Sequence, residues 1–194
     1  MIIVGVGAGP NLLTPEAVSA IKSAKIIFGS RRAIELAKEH IKCEAHELND
    51  YTLNTLPQDA VVLSTGDPML SGLGKFAKKG DVVIPGISSL QLACSYLHLD
   101  FEGLVVITAH SRDIDAVKTR VIRELDEGNN VFLLPDAAFG VKELAAQLKH
   151  QGLLRKIWVF EKLGYPDEHI SEGTTEKTPV TRSGLYCIII TGMS

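Results

Sequence analysis

Short apolar runs alternate along this chain with segments that have the periodicity of amphipathic helices, and this alternation constrains the fold most strongly. A run such as residues 1–4, which is followed directly by glycine, is typical of a buried parallel strand. Thr14, Pro15 and Glu16 then predict a helix start, because they supply an N-cap, a proline at the first helical position and an early acid. Repetition of this order predicts an α/β fold with mainly parallel sheets.

The alternation continues to about residue 161 and then changes character. Further strands are predicted at residues 25–28, 60–64, 81–84, 104–108, 130–134 and 156–161, and further helices at residues 31–40, 72–78, 88–97, 114–127 and 141–151. Residues 173–184 lack helix signals and are expected to form a loop or an edge strand, and residues 185–190 a closing antiparallel strand.

Two lobes are predicted, residues 1–102 and residues 103–194, because the strand and helix alternation restarts after Glu102 and Gly103. Two small α/β lobes of this kind commonly place a ligand pocket in the cleft where they meet.

Composition excludes several classes of function. The chain has 194 residues, with 20 Lys and Arg against 23 Asp and Glu, so bulk charge does not favour nucleic-acid binding. No apolar run approaches the roughly 20 residues of a membrane helix, and no signal peptide is evident, so we expect a cytoplasmic protein with no membrane association. The three cysteines share no CxxC spacing and the histidines no metal-ligand spacing, so no protein-bound metal is expected.

The glycine cluster directly after the first predicted strand is the first candidate binding element. Gly5-Val6-Gly7-Ala8-Gly9-Pro10 approaches the dinucleotide-binding frame, but Pro10 stands where that frame has glycine. The helix cap at Thr14 also comes too late to direct the helix N-terminus at a pyrophosphate. Arg31 and Arg32 after the second strand would suit the extra phosphate of NADP, so an NADP-linked oxidoreductase stays open as an alternative.

Two other strand ends in the first lobe are rich in glycine and polar residues. Thr65-Gly66-Asp67-Pro68 follows one strand and Pro85-Gly86-Ile87-Ser88-Ser89 the next. Asp67 could simply form a turn and cap a helix, and Ser88 could cap the next helix. Because the carboxyl ends of parallel strands share one sheet edge, the three loops together predict a pocket lined by backbone groups, suited to a polar or nucleoside-like molecule.

The strand ends of the second lobe carry the charged candidates. His110 is the single histidine at this predicted edge and is a candidate general base. Arg112 and Lys162 could pair with substrate carboxylates. No Ser/His/Asp spacing and no pair of catalytic carboxylates is evident, so hydrolysis through a nucleophile is not supported.

The order and spacing of four motifs identify a family resemblance: Val4-Gly5-Val6-Gly7-Ala8-Gly9-Pro10 through Leu13-Thr14-Pro15-Glu16-Ala17, Ser64-Thr65-Gly66-Asp67-Pro68, Ile84-Pro85-Gly86-Ile87-Ser88-Ser89, and Glu161-Lys162-Leu163-Gly164-Tyr165-Pro166-Asp167-Glu168. Over essentially its whole length the chain resembles the tetrapyrrole methylases, two-lobed α/β methyltransferases that use S-adenosylmethionine. Within that family it looks most like members that methylate carbon 5 of a cobalt-precorrin in cobalamin biosynthesis.

This resemblance implies a homodimeric methyltransferase with its active site in the interlobe cleft and a small-molecule tetrapyrrole as substrate, whose cobalt would enter inside the macrocycle. Asp67 and His110 are the implied candidates for a catalytic base. Methylation of another precorrin carbon or of a metal-free precorrin stays open, as does a nucleotide-sensing module without catalysis. The implied cofactor contacts are Ala8, Gly66, Asp67, Pro68, Leu70, Ser88, Ser89, Leu134 and Leu163, and the implied substrate contacts are Gly7, Arg31, Arg32, Arg112 and Lys162.

Overall fold

A computed structural model describes residues 1–193 and divides the chain into two compact units. The N-terminal unit is Met1–Ser89, and the C-terminal unit begins at Leu90. Each unit contains one five-stranded sheet. This division lies before the boundary near Glu102 and Gly103 that the sequence predicts.

The N-terminal unit contains a fully parallel sheet, in which the strands lie in the order β3-β2-β4-β1-β5. Its first helix begins as predicted, because the Thr14 hydroxyl accepts the Ala17 N–H at 3.2 Å and Pro15 opens the helix. The elements are β1 (Ile2–Gly5), α1 (Pro15–Ser23), β2 (Ile26–Gly29), α2 (Arg31–Ala37), β3 (Glu44–Glu47), β4 (Val61–Ser64) and β5 (Val82–Ile84).

In the N-terminal unit one predicted helix is wrong and one strand was missed. The helix expected over residues 72–78 is only a 3₁₀ turn, Leu73–Phe76. Gly72 and Gly74 lower helix propensity there, and the Gly74 N–H is bound to the Pro68 carbonyl at 2.9 Å. Strand β3 was not predicted, because its four residues are exposed at the sheet edge, three of them are polar, and they lack the apolar pattern of a strand.

The C-terminal unit has a mixed sheet in the order β6-β7-β10-β8-β9. It begins within α3 (Ser89–Leu97), and the predicted boundary lies beyond this helix. The other elements are β6 (Leu104–Thr108), α4 (Ile114–Asp126), β7 (Asn130–Leu134), α5 (Val141–His150), β8 (Lys156–Glu161), β9 (His169–Thr174) and β10 (Tyr186–Thr191).

The prediction of a mainly parallel sheet is wrong for the C-terminal unit. Strands β6 and β7 are parallel, whereas the pairs β7–β10, β10–β8 and β8–β9 are antiparallel. Because β7 and β8 both run opposite to β10, they run in the same direction as each other, as the helical crossover between them requires. The closing strand is antiparallel as expected, but it separates β7 from β8 instead of adding to an edge.

One face of each sheet packs against the helices of its own unit. Val4, Ile27 and Leu63 belong to one core cluster with residues of α1 and α2, and Leu133 and Ile188 belong to another with residues of α4 and α5. Within residues 1–193, none of the helices combines the length and the apolar character needed to cross a bilayer.

Candidate active-site residues at the strand ends

Three loops meet at the carboxyl edge of the N-terminal sheet, as the sequence predicts. Strand β1 lies between β4 and β5 and is parallel to both, so the loops that follow these three strands are neighbours. Gly7 and Gly66 exchange two backbone hydrogen bonds, of 3.2 and 2.8 Å. The Ala8 N–H donates to the Ile87 carbonyl at 2.9 Å. The loops therefore form one connected surface made mainly of backbone.

Glycines allow these loops to approach each other closely. A Cβ atom on Gly86 would lie 2.3 Å from the Gly66 carbonyl oxygen, and one on Gly5 would lie 2.5 Å from the Gly86 nitrogen. Gly66 differs, because its φ is +67° and a Cβ atom there would have no neighbour closer than Ser88 Cα at 4.0 Å. Gly5 and Gly86 thus serve loop packing, whereas the chain beside Gly66 has space into which a ligand could fit.

The Asp67 carboxylate joins the loop after β4 to the loop after β5. Its Oδ1 accepts the Met69 N–H at 2.7 Å, and its Oδ2 accepts the Gly86 N–H at 3.1 Å. The first bond makes a local turn, which was one of the sequence interpretations, and the second spans 19 residues. Asp67 therefore positions the two loops, and its roles in catalysis and cofactor binding stay predictions.

The remaining predicted contacts of the N-terminal unit lie on or beside the same edge. Arg31 and Arg32 open α2 directly after β2, which neighbours β4. Arg31 is exposed and Arg32 is half-buried. Gly7, Pro68 and Ser88 are buried, and Ala8, Leu70 and Ser89 are half-buried.

In the C-terminal unit, His110 and Asp136 follow the neighbouring parallel strands β6 and β7. His110 Nδ1 lies 3.8 Å from Asp136 Oδ2, and the histidine side chain is 59% exposed. The Ala109 N–H donates to the carbonyl of half-buried Leu134 at 2.8 Å, which holds the two strand ends together. Arg112 is exposed in the same turn. His110 is therefore accessible to a ligand and has a carboxylate nearby that can orient its ring.

The turn after β8 is held in a left-handed conformation at Lys162, whose φ is +50°. Its N–H donates to the Leu185 carbonyl at 2.9 Å, and its ammonium group pairs with Asp167. The next residue, Leu163, is buried. A non-glycine residue in this region is held there by its surroundings, and such strain is common at functional sites.

Glu168 closes the other side of this turn. Its Oε2 accepts a hydrogen bond from the Gly164 N–H at 2.6 Å, and its Oε1 accepts one from the Tyr96 hydroxyl. That hydrogen bond raises the pKa of Tyr96.

Glu161, the last residue of β8, has a structural role that the sequence interpretation missed. Its side chain is buried, and its Oε1 accepts the N–H groups of Arg182 and Ser183, both at 2.6 Å. Its Oε2 is buried and has no hydrogen-bond partner within residues 1–193. A carboxylate directly after the apolar run of residues 157–160 was the available signal, because a buried carboxylate needs hydrogen-bond partners.

The predicted site residues thus form two groups, one in each unit. Ala8, Gly66 and Asp67 represent the first group, and His110 and Lys162 the second. Among the described residues, no cluster of three His, Cys, Asp or Glu side chains could hold a metal ion.

Comparison with known proteins identifies relatives over most of the chain. A family model described as tetrapyrrole (corrin/porphyrin) methylases matches residues 1–179. A protein of Methanocaldococcus jannaschii named as a probable cobalt-precorrin-7 C(5)-methyltransferase is 34% identical, and the match covers 87% of this chain and 86% of that protein. A decarboxylating precorrin-6Y C(5,15)-methyltransferase of Sinorhizobium sp is 28% identical, with coverage of 88% of this chain and 44% of that protein.

A solved structure has the same fold at similar length. The precorrin-6Y methylase of cobalamin biosynthesis from Archaeoglobus fulgidus is 27% identical, with a TM-score of 0.74 and coverage of 100% of this chain and 98% of that one.

Proposed function

This chain belongs to the tetrapyrrole methylase family, and from that premise we propose that it methylates carbon 5 of a cobalt-precorrin in cobalamin biosynthesis, with S-adenosylmethionine as the methyl donor. The observation that carries this proposal is the match to a relative named for carbon 5 alone, which is 34% identical and covers 87% of this chain and 86% of that protein.

The strand-end loops of the N-terminal unit fit such a methyl donor. They offer backbone groups and the open space beside Gly66, and Asp67 fixes the loops relative to each other. S-adenosylmethionine supplies a methyl group already activated on a sulfonium, so no covalent enzyme intermediate is needed. The residues that would hold it are Ala8, Gly66, Asp67, Pro68, Leu70, Ser88 and Ser89 of the N-terminal unit and Leu134 and Leu163 of the C-terminal unit.

The charged residues would bind and orient the tetrapyrrole. Exposed Arg31 and Arg112 are available to its carboxylates, with Arg32, Lys162 and the Gly7 loop as further contacts. His110, with Asp136 beside it, is the candidate to accept the proton that leaves the ring carbon. Holding the two reactants in line can lower a barrier by about 7–11 kcal/mol, so positioning would be the main contribution of the protein.

Calorimetric titration with S-adenosylhomocysteine tests the cofactor assignment, with NADPH as the comparison ligand. We expect micromolar binding of S-adenosylhomocysteine and no binding of NADPH. The reverse result would replace the methyltransferase proposal with the NADP-linked alternative.

The substrate assignment needs a product analysis. The protein is incubated with cobalt-precorrin-7 and S-adenosylmethionine whose methyl carbon is isotopically labelled, and the label is located by NMR. A label on carbon 5 supports the proposal, whereas a label on another ring carbon would show a different regiospecificity.

A homodimer and a cytoplasmic location are also part of this proposal, and both rest on the family resemblance and the composition. Sedimentation of the purified protein measures its oligomeric state, and a monomer at micromolar concentration would contradict the dimer.

A further inference from the structure

We propose that Arg182 binds a carboxylate of the tetrapyrrole and that buried Glu161 is the residue that positions it. This inference rests on the proposed function, because it requires an anionic macrocycle as substrate. Arg182 lies beyond residues 1–179, which the family model matches, so family membership does not assign it a role.

Glu161 fixes the backbone on which Arg182 stands. Its side chain is 2% exposed, and one carboxylate oxygen accepts two consecutive N–H groups, those of Arg182 and Ser183. Burying a carboxylate is costly, and hydrogen bonds to an ionised group are stronger than neutral ones. The two bonds therefore hold this segment against the end of β8.

A third bond ties the same segment to the turn that carries Lys162. The Lys162 N–H donates to the Leu185 carbonyl at 2.9 Å. The segment of residues 182–185 is thus hydrogen-bonded both to the Glu161 side chain and to the Lys162 backbone. Arg182 is consequently fixed at its backbone beside a predicted substrate contact, although it is distant from Lys162 in sequence.

The guanidinium of Arg182 is better placed than the ammonium of Lys162 to bind a carboxylate. Arg182 is exposed and makes no ion pair within the described residues, whereas Lys162 is already paired with Asp167. An arginine also presents a planar fork that matches a carboxylate with two hydrogen bonds. Val180, just before this segment, is 67% exposed and Leu185, within it, is 37% exposed, so apolar surface accompanies the charge. A cation beside apolar side chains suits an apolar macrocycle with peripheral carboxylates.

The test compares Arg182→Gln with Lys177→Gln, a control that removes the same charge from an exposed residue of the same loop. The probe is uroporphyrin, a tetrapyrrole whose side chains all end in carboxylates, and its affinity is measured by fluorescence quenching. We expect Arg182→Gln to bind uroporphyrin about tenfold more weakly, because it loses a charge-assisted hydrogen bond to a carboxylate. Arg182→Lys should recover part of this loss, and Lys177→Gln should stay within about twofold of the unaltered protein.

Affinity for S-adenosylhomocysteine, measured on the same proteins, separates this inference from the proposed function. If the unaltered protein binds neither ligand, the proposed function fails. If it binds both and Arg182→Gln behaves like Lys177→Gln, the inference about Arg182 alone is refuted. Binding of S-adenosylhomocysteine without uroporphyrin would also count against the carboxylate contact.

The positioning role of Glu161 is tested with Glu161→Gln alone and combined with Arg182→Gln. If Glu161 acts through Arg182, the double variant should bind uroporphyrin no more weakly than Arg182→Gln alone. Additive losses would refute that role. If Glu161→Gln does not fold, the comparison of Arg182→Gln with its control still decides the main inference.

Discussion

Replacement of Asp67 by alanine distinguishes a positioning residue from a catalytic base. The carboxylate accepts one hydrogen bond from Met69, which is exposed, and one from Gly86, which is buried. Leaving the buried Gly86 N–H without an acceptor costs about 1–3 kcal/mol, and loss of the exposed bond costs about 0.5–1.5 kcal/mol. We therefore expect Asp67→Ala to lower the free energy of unfolding by about 1.5–4.5 kcal/mol.

The same change should weaken cofactor binding, because the two loops that Asp67 joins carry most of the predicted contacts. We expect at least a tenfold loss of affinity for S-adenosylhomocysteine, measured by calorimetry. Unfolding is measured with urea. The control is Asp100→Ala, since Asp100 makes the same kind of local turn by accepting the Glu102 N–H at 2.9 Å and makes no long-range hydrogen bond within residues 1–193. The control should lose about 1 kcal/mol or less and keep its affinity.

Two outcomes would refute this reasoning. If Asp67→Ala is as stable as Asp100→Ala and binds S-adenosylhomocysteine normally, Asp67 does not position the loops. If stability and affinity are kept while kcat alone collapses, Asp67 is a catalytic group, as the sequence first suggested.

Two further predictions test the packing. Gly86→Ala would bring a Cβ atom to 2.3 Å from the Gly66 carbonyl oxygen, so we expect it to lower the urea midpoint and to weaken S-adenosylhomocysteine binding. Gly192→Ala is the control, because its Cβ atom would meet nothing within 4 Å, and it should change neither the midpoint nor the affinity. Burial raises the pKa of the Cys94 thiol, and Cys187 is also buried. At pH 7 an alkylating reagent should therefore modify half-buried Cys43 first, as measured by peptide mass. Rapid labelling of either buried thiol in the native protein would contradict this prediction.

Local sequence signals predict the strands and several helix starts well, because those signals reside in adjacent residues. Thr14 and Pro15 predict the start of α1, and the bounds of β6 (Leu104–Thr108) agree with the prediction. The same local signals fail for β3, whose polar residues show no strand pattern, and for residues 72–78, where glycines interrupt the helix.

Long-range pairing is what the sequence does not specify. The Asp67–Met69 turn could be anticipated from an Asp-Pro pair, but the bond from Asp67 to Gly86 depends on β1 lying between β4 and β5. The position of β10 between β7 and β8 could not be predicted from the sequence either, because an apolar run indicates a strand but not which strands it pairs with.

The position of β10 also explains why the candidate carboxylate contact was missed. Because β10 pairs with β8 in a register that sets Tyr186 opposite Glu161, the residues just before β10 must lie at the end of β8. There the Glu161 carboxylate and the Lys162 N–H form hydrogen bonds with the backbone of residues 182–185. A strand added beyond β9 would not pair with β8, so the residues before it would not lie opposite Glu161. The sequence predicts that β10 is antiparallel but not that it lies between β7 and β8. This position brings Arg182 to the end of β8, next to Glu161 and Lys162, which the sequence did identify.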